Sequence, residues 1–120
     1  MVCITGATGK YAAYINGFYT PTDEIIDKAS VYKKLGDSNT WIEYDDRTRK
    51  WIVMSANEHE ANIIVLKYAM AEVAPPLPLE DCPSTCWEVD NGSGFQQSDL
   101  FVSITNMSTF QNTQVVWINK

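Results

Sequence analysis

The chain has little histidine, little cysteine and no excess of basic residues, and each shortage excludes some classes of function. Its 120 residues include one histidine, three cysteines, and nine Lys or Arg against fifteen Asp or Glu, for a formal charge of −6. Nucleic-acid phosphates attract a local excess of positive charge, so we expect no nucleic-acid partner. A zinc site needs four ligands, and His59 cannot readily complete one with Cys82 and Cys86, so we expect no metal.

Long apolar runs are also missing. No stretch approaches the ~18 apolar residues that span a bilayer, and the first residues lack the charged-then-apolar pattern of a secretory signal. The odd cysteine count favours reduced thiols, while a local disulfide between Cys82 and Cys86 stays an open alternative. We therefore expect a protein without a membrane span, soluble and inside the cell (cytoplasm or organelle interior) rather than secreted.

The sequence offers few residues for catalysis. A Ser-His-Asp or Cys-His arrangement would depend on His59, which lies between glutamates in a segment typical of a solvated loop. Glu43, Asp45 and Asp46 lie at the end of a predicted hairpin, where acidic turn residues are common. We expect a non-enzymatic protein without catalytic residues and without a cofactor.

Residues 5–9, Thr-Gly-Ala-Thr-Gly, follow a short apolar segment and resemble the glycine turn that opens short-chain dehydrogenases. In that family the glycines lead into a helix whose N-terminus holds a pyrophosphate. Here Asn16-Gly17 and Pro21 exclude a three-turn helix, and the family's Tyr-x-x-x-Lys pair is absent. We predict that residues 5–9 form a corner of a β-domain, with a nucleotide-binding oxidoreductase fragment as a remote alternative.

Most of the remaining chain has the composition of short strands separated by polar turns. We predict strands at residues 2–5, 11–20, 31–35, 40–44, 49–55, 86–90, 95–97 and 100–104, with a turn or bulge at Asn16-Gly17. Residues 24–30 are predicted to be an exposed connector, with one helical turn as the alternative. Trp41 and Trp51 are expected to meet as a cross-strand or diagonal pair. Residues 63–69 fit either a helix or a strand, and their β-branched run favours the strand.

The predicted fold is therefore all-β: a small antiparallel barrel or sandwich of about eight or nine short strands, with at most one short helix. Residues 1–105 form the single domain, and residues 106–120 are an extension that packs back on the domain or contacts a partner. The proline-rich residues 75–79 are expected to be extended, either as a stiff connector or as a docking segment.

Several short motifs together resemble a repeat module found in large multidomain proteins of protists and algae. The motifs are Gly6-Ala7-Thr8-Gly9, Ile15-Asn16-Gly17-Phe18-Tyr19, Pro21-Thr22, Val31-Tyr32-Lys33-Lys34-Leu35-Gly36-Asp37, Trp41-Ile42-Glu43-Tyr44, Trp51-Ile52-Val53, Pro78-Leu79-Glu80-Asp81-Cys82-Pro83 and Trp87-Glu88-Val89. Such modules recur beside interaction or enzymatic domains. The resemblance implies a non-catalytic spacer or binding unit whose first strand lies near residues 100–104, and it carries over no functional residues.

We therefore predict a protein-interaction or scaffold module, a candidate peripheral subunit of a larger assembly. The candidate partner-binding residues belong to the apolar segment, the proline run and the apolar tail, namely Ile63, Ile64, Leu66, Tyr68, Pro75, Pro76, Pro78 and Trp117. The alternative is a carbohydrate-binding module that uses exposed tryptophans, although Trp41, Trp51 and Trp87 are expected to fill the core. The sequence leaves a small-molecule ligand undefined.

Overall fold

The structure is a computed structural model that describes residues 1–59, 62–73 and 76–105, with backbone alone at residues 57–59 and 62–64. The strands are β1 (Val2–Thr5), β2 (Gly17–Ile26), β3 (Ala29–Lys34), β4 (Thr40–Asp45), β5 (Lys50–His59), β6 (Asn62–Glu72), β7 (Trp87–Asp90), β8 (Phe95–Gln97) and β9 (Phe101–Ile104). One helical turn, α1 (Ala12–Ile15), precedes β2, and 3-10 turns occupy Leu79–Asp81 and Ser84–Cys86.

All nine strands belong to one antiparallel sheet that curls into a half-barrel. Their order is β8-β7-β6-β5-β4-β3-β2-β1-β9, so the chain meanders from β1 to β8 and β9 then pairs with the other side of β1. The all-β prediction, with about eight or nine strands and at most one short helix, is confirmed. The predicted proximity of the first strand to residues 100–104 is also observed, because Val2 pairs with Ile104 and Thr5 with Phe101.

The core lies on the concave face of the sheet. Alternation in β4 sends Thr40, Ile42 and Tyr44 inward, while Trp41, Glu43 and Asp45 point outward and are half-buried. The largest fully buried side chains are Trp87, Tyr19, Ile4, Ile15, Ile42, Leu79 and Leu100. Leu79 and Leu100 belong to segments outside the strands. These segments therefore help to close the core between the two edges of the sheet.

Residues 63–69 lie within β6, so the predicted strand is observed there. The strand continues to Glu72 and pairs with β5 along its length, with a register shift opposite Val53 and Met54. The shift makes Tyr68 the extra residue between Lys67 and Ala69, and its side chain is buried. β-branched side chains pack well on a pleated surface, which explains why the strand is formed here rather than a helix.

Two local predictions are wrong. Residues 11–15 form a turn of helix instead of a strand, since Ile15 must enter the core and the Tyr19 hydroxyl donates to the Ile15 carbonyl at 2.7 Å. Residues 24–30 form the β2–β3 hairpin instead of a connector. Its turn residues Asp27 and Lys28 have φ of 50° and 69°, the left-handed conformation that a two-residue hairpin turn requires.

The predicted pairing of Trp41 with Trp51 is also wrong. Trp51 lies opposite Tyr44, and Trp41 lies opposite Met54. Because Trp41 and Tyr44 are three residues apart on one strand, their side chains point to opposite faces of the sheet. Trp51 therefore joins the core, and Trp41 lies on the convex face.

Thr5 ends β1, and residues 6–9 form the loop that follows it at a corner of the β-domain, as predicted. Gly6 and Gly9 have φ of 99° and 87°, a conformation that favours glycine. The Asn16 side chain holds the loop with two bonds to Ala7: its Oδ1 accepts from the amide nitrogen, and its Nδ2 donates to the carbonyl, each at 3.0 Å. The four-residue helix that follows is too short for a phosphate site of the dehydrogenase kind.

Candidate functional site

A cavity of about 510 Å³ lies at the end of the half-barrel where two hairpin turns meet the proline segment. We call it the turn cavity. Its lining residues are Asp27, Lys28, Ala29, Tyr44, Asp46, Trp51, Pro76, Leu77 and Pro78. The volume falls within the range of about 300–1,000 Å³ that is usual for small-molecule sites.

The two hairpin turns are joined directly to each other. Asp27 lies in the β2–β3 turn and Asp46 in the β4–β5 turn, and the Asp46 amide donates to Asp27 Oδ2 at 2.9 Å. Asp45 orders the second turn by accepting from the Arg47 amide at 3.0 Å. Both carboxylates of the cavity are therefore carried by turns whose backbone is fixed by hydrogen bonds.

Aromatic side chains form the inner wall of the turn cavity. Tyr44 and Trp51 face each other across β4 and β5 with ring centroids 5.3 Å apart, and Tyr32 meets Trp51 edge-on at 6.1 Å. The Trp51 indole Nε1 donates to the Leu77 carbonyl at 2.9 Å. This bond holds the proline segment, residues 76–78, over the wall and satisfies the only polar atom of the indole.

The Tyr44 hydroxyl is the unusual group in this wall. Its side chain is 3% exposed, and the buried oxygen has no hydrogen-bond partner in the structure. Burial raises the pKa of Tyr44, Asp46 raises it further, Arg49 opposes the increase, and Cys82 and Asp27 add smaller increases. The phenol is therefore neutral at physiological pH, with an unused donor and acceptor.

A second candidate surface lies on the longest hairpin of the sheet. We call it the β5–β6 extension and define it as residues 57–59 of β5 and 62–66 of β6. Among the described strands, these residues pair only within the β5–β6 hairpin. Val65 and Leu66 are 51% and 39% exposed. Consecutive residues of a strand point to opposite faces, so the extension presents an aliphatic side chain on each face.

A tyrosine cluster supports the base of the extension. The rings of Tyr14 and Tyr68 stack with centroids 5.2 Å apart, and Tyr11 lies 5.0 Å from Tyr68. The Tyr68 and Ser55 hydroxyls share a buried hydrogen bond of 2.7 Å. Ser55 pairs with Leu66, and Tyr14 stacks on Tyr68, so the exposed Leu66 and the 47% exposed Tyr14 lie on the same face as this bond.

The predicted partner-binding residues are distributed between the two surfaces. The backbone of Ile63 and Ile64 lies in the extension, and Leu66 is exposed there, whereas Tyr68 is buried in the tyrosine cluster. Pro76 and Pro78 are exposed and line the turn cavity. Pro75 and Trp117 lie outside the described residues, as does the whole predicted extension of residues 106–120.

The tryptophans that the structure describes do not form an exposed platform. Trp51 and Trp87 are 4% and 0% exposed, so both fill the core as predicted. The same prediction is wrong for Trp41, which is half-buried on the convex face, where its Nε1 donates to Glu43 Oε1 at 2.9 Å. Stacking of sugars on exposed tryptophan, the alternative function, therefore has little support in the described part of the chain.

The cysteines are free thiols in the structure. Burial raises the pKa of Cys82 to about 12, with smaller contributions from Cys86, Asp81 and Glu80, and burial also raises the pKa of Cys3. A thiol that stays protonated is a poor nucleophile. Among the described residues, no group of three His, Cys, Asp or Glu side chains is placed to hold a metal ion.

The sequence did not indicate that Asp27, Lys28, Tyr44 and Asp46 line a common cavity. A signal for the first pair was present, because the polar dipeptide Asp27-Lys28 lies between the apolar segments Ile25-Ile26 and Val31-Tyr32, but Asp-Lys is not a common hairpin dipeptide. In the sequence, Tyr44 has the pattern of an ordinary core position of a strand. Nothing in the sequence indicates that its hydroxyl is left without a partner.

Comparison of the chain with protein-family models, with curated proteins and with solved structures found no match. Within the described residues, no helix has the length and apolar character needed to cross a membrane.

Proposed function

We propose that this chain is a non-catalytic protein-interaction module that binds a partner protein through the β5–β6 extension. The observation that carries the proposal is the pair Val65 and Leu66, exposed on opposite faces of β6 at the base of a two-stranded ribbon, residues 57–59 and 62–64, that projects beyond its neighbouring strands. An isolated two-stranded ribbon is only marginally stable in water, so contact with another surface would stabilise it.

The extension offers two kinds of contact to a partner. Burying Val65 and Leu66 in an apolar groove would contribute about 1–2 kcal/mol each. β7 pairs with β6 only at Ala69, Met70 and Ala71. In the described part of the chain, the edge of β6 that faces β7 therefore has no strand partner at residues 62–66. Its backbone N–H and C=O groups can accept an added strand, a common mode of peptide recognition.

The resemblance to a repeat module supports the same function. Modules of that kind recur beside interaction or enzymatic domains, which is the setting in which a domain that binds a neighbouring protein is useful. The partner would be an adjoining domain or subunit with an apolar groove.

The test is co-purification from cells that naturally contain the protein, with a double variant that charges the extension, Val65→Asp with Leu66→Asp. The matched control is Ile25→Asp, because Ile25 is 59% exposed on β2, outside the extension. We expect the control to retain the partners of the unmodified protein and the double variant to lose at least one of them. Retention of every partner by a folded double variant would contradict the proposal.

A further inference from the structure

The sequence contains two Asn-Gly pairs, Asn16-Gly17 and Asn91-Gly92, and the fold places them in different surroundings. An asparagine followed by glycine is prone to deamidation, because glycine has no side chain to shield its backbone nitrogen from the preceding carboxamide. Whether that nitrogen reaches the carboxamide depends on how the fold holds the two groups. The two pairs therefore provide a comparison of reactivity within one chain.

The carboxamide of Asn16 is held by a neighbouring loop. Its Oδ1 accepts from the Ala7 amide and its Nδ2 donates to the Ala7 carbonyl, each at 3.0 Å. Gly17 begins β2 and pairs with Ile4 of β1. Attack by the Gly17 nitrogen would require both bonds to Ala7 to break and the start of β2 to move. We therefore expect the fold to protect this pair.

The second pair is exposed in the turn between β7 and β8. The Asn91 Oδ1 accepts from the Ser93 amide at 2.8 Å, so the carboxamide is folded back along the Gly92 peptide. This bond also places an N–H donor on the oxygen where negative charge develops during attack at Cγ, which favours the reaction. The Gly92 amide donates to Asp90 Oδ1 at 2.8 Å, an exposed bond that water can replace at little cost.

We propose that Asn91 is a site of spontaneous deamidation in the folded protein and that Asn16 is protected from it. The Gly92 nitrogen, after losing its proton to the solvent, forms a bond to the Asn91 Cγ, and the bond from Cγ to the side-chain nitrogen breaks. That nitrogen takes a proton from water and leaves as ammonia, giving a succinimide ring. One water molecule then opens the ring at either carbonyl and leaves aspartate or isoaspartate at position 91.

The modification changes the charge and the backbone of this turn. Each modified molecule gains one negative charge beside Asp90, and isoaspartate also adds a methylene group to the backbone. Gly92 packs against the Lys10 side chain, since a methyl group added at its Cα would lie 3.1 Å from Lys10 Cδ. The altered turn therefore lies against the end of the loop that follows β1. The proposal does not depend on the function of the β5–β6 extension.

The test incubates the full chain at mildly alkaline pH, once folded and once in concentrated urea. Peptide mapping by mass spectrometry, with digestion at acidic pH, measures amide-to-acid conversion at each pair. We expect folded Asn91 to convert within about threefold of its rate in urea, and Asn16 at least about tenfold more slowly than in urea, because its two bonds must open first. Protection of Asn91 by folding to the same degree as Asn16, or to a greater degree, would overturn the proposal.

A variant assigns the product to its residue. Asn91→Gln keeps the carboxamide, but its attack would need a larger ring, so we expect conversion at position 91 to stop on the same timescale. Isoaspartyl methyltransferase should label the peptide around position 91 in the unmodified protein and not in Asn91→Gln. The matched control is Asn39→Gln, an exposed asparagine followed by threonine, which should leave that label unchanged. Unchanged thermal midpoints show that both variants are folded. Equal labelling of this peptide in Asn91→Gln would contradict the assignment.

Discussion

The turn cavity and the β5–β6 extension differ in how their polar and apolar groups are arranged. In the cavity, aromatic rings are buried, carboxylates lie on hydrogen-bonded turns, and Tyr44 keeps an unpaired hydroxyl. In the extension, aliphatic side chains are exposed on a ribbon that has few neighbours. The first arrangement keeps its aromatic groups out of reach of a partner, and the second suits a protein surface.

The largest expected contrast concerns stability. Trp51→Ala removes the inner wall of the cavity, its ring contacts and the bond to the Leu77 carbonyl, so we expect a loss of about 3–5 kcal/mol of unfolding free energy. Leu66→Ala in the extension should change it by less than about 1 kcal/mol, because the side chain is already 39% exposed. Urea denaturation followed by circular dichroism measures both. Similar losses for the two variants would mean that the extension is part of the cooperative core.

Two of the buried tyrosine hydroxyls, those of Tyr68 and Tyr44, give a sharper comparison. Tyr68→Phe breaks the 2.7 Å bond to Ser55 and leaves that hydroxyl without its partner, so we expect a loss of about 1–2 kcal/mol. The control is Ser55→Ala combined with Tyr68→Phe, which removes both groups and should cost less than the sum of the single changes. Additive losses would show that the two hydroxyls do not interact.

In contrast to Tyr68→Phe, we expect Tyr44→Phe to raise the unfolding free energy or to leave it unchanged. Its hydroxyl has no partner in the folded protein, so removing it relieves a desolvation cost and is expected to raise the unfolding free energy by up to about 1 kcal/mol. Thermal unfolding measures this. A clear loss of stability would indicate that the hydroxyl has a partner, such as an ordered water, in the free protein.

The smallest expected effect is a pH dependence at the alkaline end. The pKa of Tyr44 is raised from its ordinary value near 10, so above that pH the folded state binds more protons than the unfolded chain. The stability contributed by neutral Tyr44 is present below pH 10 and is lost as the pH rises towards the folded-state pKa. We expect Tyr44→Phe to decline less steeply than the unmodified protein above pH 10 in urea titrations. Identical slopes would show that Tyr44 ionises equally in both states.

The sequence predicted the parts of the fold that depend on local pattern. Strand composition and polar turns were sufficient for the meander of β3, β4 and β5, and the β-branched run was sufficient for β6. Local pattern could not predict that residues 11–15 form a helical turn, because the burial of Ile15 and the bond from Tyr19 decide it. The register that separates Trp41 from Trp51 depends on the exact length of the β4–β5 turn.

The candidate sites were predictable to different degrees. An apolar β-branched segment is visible in the sequence, so Leu66 and its neighbours could be named before the structure was known. The turn cavity brings together residues from two turns and a proline segment that are distant along the chain. Only the fold shows that Asp27 meets the Asp46 amide or that Leu77 covers Trp51.

The most direct test of this division between the two surfaces is co-purification with both charge-altering double variants in parallel. We expect Val65→Asp with Leu66→Asp to lose a protein partner, and Asp27→Asn with Asp46→Asn to retain it. A partner that is kept by the first variant and lost by the second would contradict the assignment of protein binding to the β5–β6 extension.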